Sequence, residues 1–220
     1  MKALALKELR EVLGIAAIAL GCYLALAINA MGARVFDWVP GMPAGTHGVP
    51  FVHGEFTTVF MFISVLFAVA LGFRQSAWES ARGTFLFLLH RPLRREAIFL
   101  IKLTMGIGLL LVCASVPIVV YGLWAAVPGN HASPFEWSMT ASTWRFTFLL
   151  PLLYLGAFLS GVRPARWFGT RLLPLMATIL ILVLLNVMPW WWAIGFPLTL
   201  LLYGLLAVNV CFVGQVRDYA

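Results

Sequence analysis

The sequence predicts an all-α, polytopic membrane protein: six transmembrane helices, an N-terminal interfacial helix and a further helix in a cytoplasmic loop. Composition is the first observation behind that expectation. Of 220 residues, 62% are hydrophobic and 10% charged, with a mean hydropathy of +0.96. Soluble chains run at about 45–50% apolar and about 25% charged, so a water-soluble globule is excluded. Run length is the second. A bilayer core of about 30 Å takes about 20 apolar residues per helix, because every backbone N–H and C=O must be bonded within the segment. The third is the distribution of cations, which fixes an orientation.

The first four spans are expected at 12–31, 56–73, 101–124 and 143–162. The block 172–214 is too long for one crossing and divides into 172–189 and 192–214 at Met188, Pro189 and the triplet Trp190, Trp191, Trp192, an interfacial turn. Residues 1–220 thus form one transmembrane domain. Ahead of the first span, Leu6, Leu9 and Leu13 lie near one helical face and Lys7, Glu8 and Glu11 near another, with Lys7 and Glu11 spaced i, i+4. That pattern suits a short helix lying along the inner surface, or else a solvated extension of span one. A cleaved leader ending at Cys22 is not expected, since Glu8 and Glu11 stand where a leader is basic and Leu20 is bulky. Cys22, Cys113 and Cys211 sit in separate apolar runs and read as small buried hydrophobes. Pro117, Pro151, Pro174 and Pro197 are expected to kink spans. Asn29, Ser64, Thr104, Ser115, Asn186 and Asn209 are expected to hydrogen-bond between helices. In span two, Phe56, Phe60, Met61, Phe62, Phe67 and Phe73 either line an apolar path or face lipid and neighbouring helices.

Lys and Arg are retained on the cytoplasmic side of short loops. Thirteen of them fall before span one, between two and three, between four and five, and after six; only Arg34 and Arg145 fall in the opposite connections. Both termini are therefore expected in the cytoplasm. Most tryptophans follow the other side, with Trp38, Trp124, Trp137, Trp144 and the 190–192 triplet outside and Trp78 and Trp167 inside.

Several function classes are argued against by what the chain lacks. Segments 12–31, 56–73 and 172–214 contain no Asp, Glu, Lys, Arg or His, and 103–144 contains only His131 and Glu136 in an outer loop. A proton relay, which needs such groups at membrane depth, is disfavoured. None of Lys2, Lys7 and Lys102 follows a glycine, so there is no G-x-x-x-x-G-K-[ST] loop, and neither G-x-S-x-G nor H-E-x-x-H occurs. No catalysis and no cofactor are expected on this chain. The thin spread of cations makes nucleic acid an unlikely partner. In the loop 32–55, Asp37, His47, His53 and Glu55 are metal-capable, but their irregular spacing among Gly and Pro fits a solvent-facing loop, and no metal site is assigned.

The most informative segment is the cytoplasmic loop 74–101. Its stretch Gly83, Thr84, Phe85, Leu86, Phe87, Leu88, Leu89 is apolar and too short to cross, and Pro92 stops one helix and opens the next. Glu79, then Gly83-Thr84, the apolar run ending in Leu88-Leu89, Pro92, the basic Arg94-Arg95, and Lys102 opening the third span form a pattern. It resembles the corresponding loop in permease subunits of type-2 ATP-binding-cassette (ABC) transporters, and Lys7-Glu8-Leu9-Arg10 is similar to that family's amphipathic entry segment. The resemblance implies a permease subunit of a bacterial inner-membrane exporter that pairs with a second copy or a sibling permease. Its motor would be a separate cytoplasmic ATPase carrying ATP and Mg. A coupling helix from about Glu79 to His90 would seat Phe85, Phe87 and Leu89 in a groove of that ATPase. Arg91, Arg94 and Arg95 would meet its acidic groups or anionic headgroups, and Glu79 a basic group. The chain departs from many exporters of the family between spans five and six, where only the turn at Pro189 replaces a re-entrant element. Two other classes stand beside this one: a six-span scaffold or assembly factor, and a gradient-driven carrier.

Overall fold

The computed structural model describes residues 2–33, 35, 49–52, 55–81, 95–131, 133–164 and 170–216, and the apolar runs among them are all helical. Helix α1 spans Lys2–Ala30, α2 Glu55–Ala81 and α3 Arg95–Ala125. A 3-10 turn, Trp137–Thr140, leads into α4, Ala141–Val162. Helix α5 covers Leu173–Val187, and a π-helical turn, Trp191–Gly195, leads into α6, Phe196–Val216. No strand occurs among the described residues.

Five of these helices are long and apolar enough to cross a bilayer, which makes the chain a polytopic membrane protein by length and composition. The expected span 172–189 is shorter than the rest. Helix α5 has 15 residues, which rise about 22 Å at about 1.5 Å per residue, short of the ~30 Å core. At the start of the chain there is no break between an interfacial helix and span one, because residues 2–11 continue α1. The expected i, i+4 pair is formed, with Lys7 Nζ 3.2 Å from Glu11 Oε1.

Contacts between helix ends give the chain path. The start of α1 meets the start of α3 through Glu8 and Lys102, and the end of α2 meets the end of α4 through Gln75 and Tyr154. The start of α5 bonds the end of α4 through Leu175 and Ser160, while the end of α5 bonds the start of α4 through Asn186 and Arg145. Helices therefore alternate up and down, with the starts of α1, α3 and α5 at one end. We call this the loop end, because 82–94 connects α2 to α3 there.

Helix α4 is the axis: it packs on α2, α3, α5 and α6, and every residue from Leu149 to Val162 is buried. A helix that is apolar all round belongs inside, and small residues let its neighbours approach closely. A Cβ on Gly72 of α2 would stand 2.7 Å from Ala157 Cβ and 2.8 Å from the Tyr154 carbonyl oxygen, so α2 lies almost backbone to backbone on α4. The aromatic residues of α2 mostly join this core. Phe56, Phe60 and Phe67 are buried among Tyr23, Tyr121 and Phe146, whereas Phe62 is 65% exposed.

Several local expectations are corrected. Pro117 and Pro151 lie inside helices; Pro174 sits in the first turn of α5, where a missing N–H costs nothing, and Pro197 is the second residue of α6, directly after the π-helical turn that runs into it. Cys22 is exposed and Cys211 half-buried, leaving Cys113 as the buried thiol. Ser64 does bond across helices, its Oγ 2.7 Å from Tyr23 Oη. Thr104, Ser115 and Asn209 instead donate to the carbonyls of Leu100, Leu111 and Leu205 one turn back in their own helices. A hydroxyl or amide in an apolar helix finds that acceptor without needing a partner helix.

Candidate coupling site

The two stems of the loop are ordered helix. Glu79 lies in the last turn of α2, Arg95 opens α3 as an exposed residue, and Lys102 follows two turns later. Gly83, Thr84, Phe85, Phe87, Leu88, Leu89, Pro92 and Arg94, the remaining expected coupling residues, lie outside the described residues.

Between the stems the structure places a buried polar node. Lys102 is fully buried, and its Nζ donates to both carboxylate oxygens of Glu8 at 2.8 Å, with Glu8 also at 0% exposure. Lys102 stands within a run of apolar residues, so its charge has to be met inside the bundle, and α1 brings the acid. Sequence reading put Glu8 on the polar face of an interfacial segment; because α1 runs straight into the bundle, that face turns inward at Glu8 instead. Two ions in such a setting lose hydration worth several kcal/mol each, which only close pairing offsets.

A second layer lies against this pair. Tyr154 Oη of α4 donates to Gln75 Oε1 of α2 at 2.5 Å and lies 3.4 Å from the Lys102 carbonyl oxygen. Gly106, one turn after Lys102, makes room for this contact, since a Cβ there would overlap Tyr154 Oη and Gln75 Oε1. Gln75 Nε2 has no acceptor among the described residues, and an unmet buried donor costs about 1–3 kcal/mol. Next along α2, Ser76 donates to the Gly72 carbonyl at 2.6 Å, and Gly161 of α4 packs on its side chain.

The end of α4 is tied to α5 as well. Ser160 Oγ accepts from the Leu175 N–H at 3.1 Å, and Arg171 donates to the carbonyls of Ser160 at 3.1 Å and Gly161 at 2.8 Å. A cation on the last carbonyls of a helix is favoured by the helix dipole. Arg74, on the α2 stem, lies over the Trp78 ring at 4.9 Å. The loop end thus joins α1, both stems, α4 and α5 through named polar contacts.

Of the expected residues, Lys102 is at the centre of this node, Glu79 one turn beyond Gln75 and Arg95 two turns before Lys102. Glu8 enters as the partner of Lys102, and Gln75 and Tyr154 were not singled out by the sequence. One signal was available for the pair: two opposite charges in helices destined for an apolar setting must find each other. Compared with known proteins, the chain matches no protein-family pattern, no curated protein and no solved structure.

Proposed function

We infer that the chain is the transmembrane subunit of a type-2 ABC transporter: a six-span permease, both termini in the cytoplasm, that works as an exporter. It pairs with a second copy or a sibling permease, and it is driven by ATP hydrolysis on a separate cytoplasmic ATPase that binds ATP and Mg. The observation that carries this reading is the position of the buried Glu8–Lys102 pair at the stem of the loop whose sequence resembles the family's coupling segment. A plug that moves under nucleotide control needs rigid stems and a firm tie to the spans, and the node supplies both. Lys102 opens the third span in the family pattern, and its pairing with Glu8 ties the entry segment to the start of that span.

The test is association. Phe85→Asp with Phe87→Asp, co-expressed with the cell's ABC ATPases, is expected to lose all ATPase on co-purification while inserting normally into the membrane. Unchanged association, or wild-type chain that purifies without an ATPase, overturns the reading. A second reading is favoured by one observation: Glu8 and Lys102 are ionisable groups buried inside a membrane protein, where such groups mark ion pathways. Transport into proteoliposomes that follows a pH or sodium gradient without ATPase selects that carrier over the permease.

A further inference from the structure

At the end opposite the loop, α3, α4, the turn after α5 and α6 enclose a half-open cavity of about 970 Å³. That volume lies at the upper end of small-molecule sites, about 300–1,000 Å³. Its walls are aromatic: Trp144, Phe148, Trp191, Trp192 and Phe196 line it. Phe148 stacks on Phe196 at 5.1 Å and meets Trp191 edge-on at 6.2 Å, so the floor is a fixed apolar surface.

Into this surface projects one cation, Arg145. It sits in the second turn of α4, where its guanidinium lies 5.2 Å over the Trp191 ring. It donates to the carbonyls of Asn186 and of Met188, the latter at 3.4 Å. These contacts cap the end of α5 and occupy two of five guanidinium donors. Among the described residues no other Lys or Arg lies at this end, and no Asp or Glu lines the cavity; Glu136 is bonded by Ser138 Oγ. A half-buried positive charge beside a large apolar space matches an amphiphile with an anionic head. Phosphate suits it best, since guanidinium offers parallel donors to its oxygens. The depth fits as well, because clustered Trp side chains mark the level of lipid headgroups.

We propose that this cavity binds a phospholipid from the adjoining leaflet, its phosphate on Arg145 and its upper acyl chains against Trp144, Trp192 and Phe196. The hydroxyl of Ser142, an exposed lining residue, stands within the same rim. The site lies at the far end of the bundle from the coupling node. Its test measures lipid and not ATPase, so the two readings fail separately.

The experiment is native mass spectrometry of the full chain in detergent, titrated with three probes: dioctanoyl phosphatidic acid, dioctanoylglycerol and glycerol 3-phosphate. Phosphatidic acid is expected to be retained about tenfold more tightly than dioctanoylglycerol, the scale of a charge-assisted hydrogen bond, with no retention of the tail-less phosphate. Arg145→Gln is expected to erase that preference, and Arg145→Lys, a point charge without the parallel donors, to keep only part of it. Because Arg145 also caps α5, two variants at exposed lining positions stand beside it. Ser142→Asp should remove the preference by repulsion, and Trp192→Ala should weaken both lipids. Equal retention of the two lipids, glycerol 3-phosphate binding as well as phosphatidic acid, a preference unmoved by Ser142→Asp, or retention of both lipids unmoved by Trp192→Ala overturns the proposal.

Discussion

At the scale of single residues, the Glu8–Lys102 pair dominates, because among the described residues it is the one place where two full charges are withdrawn completely from solvent. Removing one partner leaves the other buried and uncompensated, so Glu8→Gln or Lys102→Met is expected to destabilise the chain by about 3–5 kcal/mol. The double variant Glu8→Leu with Lys102→Met is expected to recover most of that loss, since a well-packed apolar pair replaces a buried ion pair at little cost. Thermal unfolding in detergent, arranged as a double-mutant cycle, measures both effects. Singles that melt like the wild type would show the pair to be solvated. The same double variant separates stability from coupling: on the proposed permease reading, a stable double variant is expected to fail to stimulate the partner ATPase. Phe51 carries strain of a different kind. It is a buried non-glycine residue at φ 63°, held by Thr57 Oγ1 donating to its carbonyl at 3.1 Å and by rings of Phe56 and Tyr121 about it. Phe51 is the third residue of a turn that Val52 N–H closes on the Val49 carbonyl at 3.2 Å, with Pro50 ahead of it; such turns take a positive φ there and favour glycine, so Pro50 marks the turn but not the aromatic residue that occupies it.

At the scale of elements, hydropathy revealed each helix because a bilayer requires long apolar runs, and the turn at Pro189 was visible because Trp and Pro interrupt one. Which helix lies at the centre was hidden by the same physics. In lipid, outward faces are as apolar as inward ones, so the face of α5 and α6 bearing Leu180, Leu184, Leu201 and Val208 is exposed without being polar. The periodic contrast that orients a helix in water is therefore missing. What distinguishes α4 and its neighbours is small residues at the contacts, and Gly72 tests that. Gly72→Val drives a branched side chain into the Tyr154 and Phe158 backbone, and overpacking of this kind costs about 1–3 kcal/mol, or more where backbone cannot yield. Gly14→Ala, on an open face of α1 with nothing within 4 Å, is the control and is expected to leave the melting temperature unchanged or slightly raised. Equal effects at the two sites would place α2 away from α4. The loop between α2 and α3 carries the residue pattern that suggested coupling, but most of that pattern lies outside the described residues, and a docking face is defined by its partner as much as by its own side chains.

For the molecule as a whole, the charge partition and the chain path make a joint statement about orientation. The loop end carries Lys2, Lys7, Arg10, Arg74, Arg95, Lys102, Arg163 and Arg171 among the described residues, against Arg145 alone at the other end. Cations in short loops stay in the cytoplasm, so the loop end is expected to face inward. Helix α5 decides where the chain then finishes. Its start is bonded to the end of α4 and its end to the start of α4. It therefore runs the length of that helix despite its 15 residues. A bilayer thins locally to accept a short span at a modest cost per ångström. On the proposed six-span layout α5 crosses, and the end of α6 is then expected on the inner side. Three single-cysteine variants in a background where Cys22, Cys113 and Cys211 are alanine measure this: Asn130→Cys between α3 and α4, Glu96→Cys at the start of α3, and Val216→Cys at the end of α6. A membrane-impermeant maleimide applied to intact cells is expected to label only the first, and the other two only after permeabilisation. Labelling of Glu96→Cys from outside would invert the orientation. Labelling of Val216→Cys from outside, with Glu96→Cys protected, would show that α5 does not cross and would reduce the count to five spans, removing the layout on which the permease reading stands.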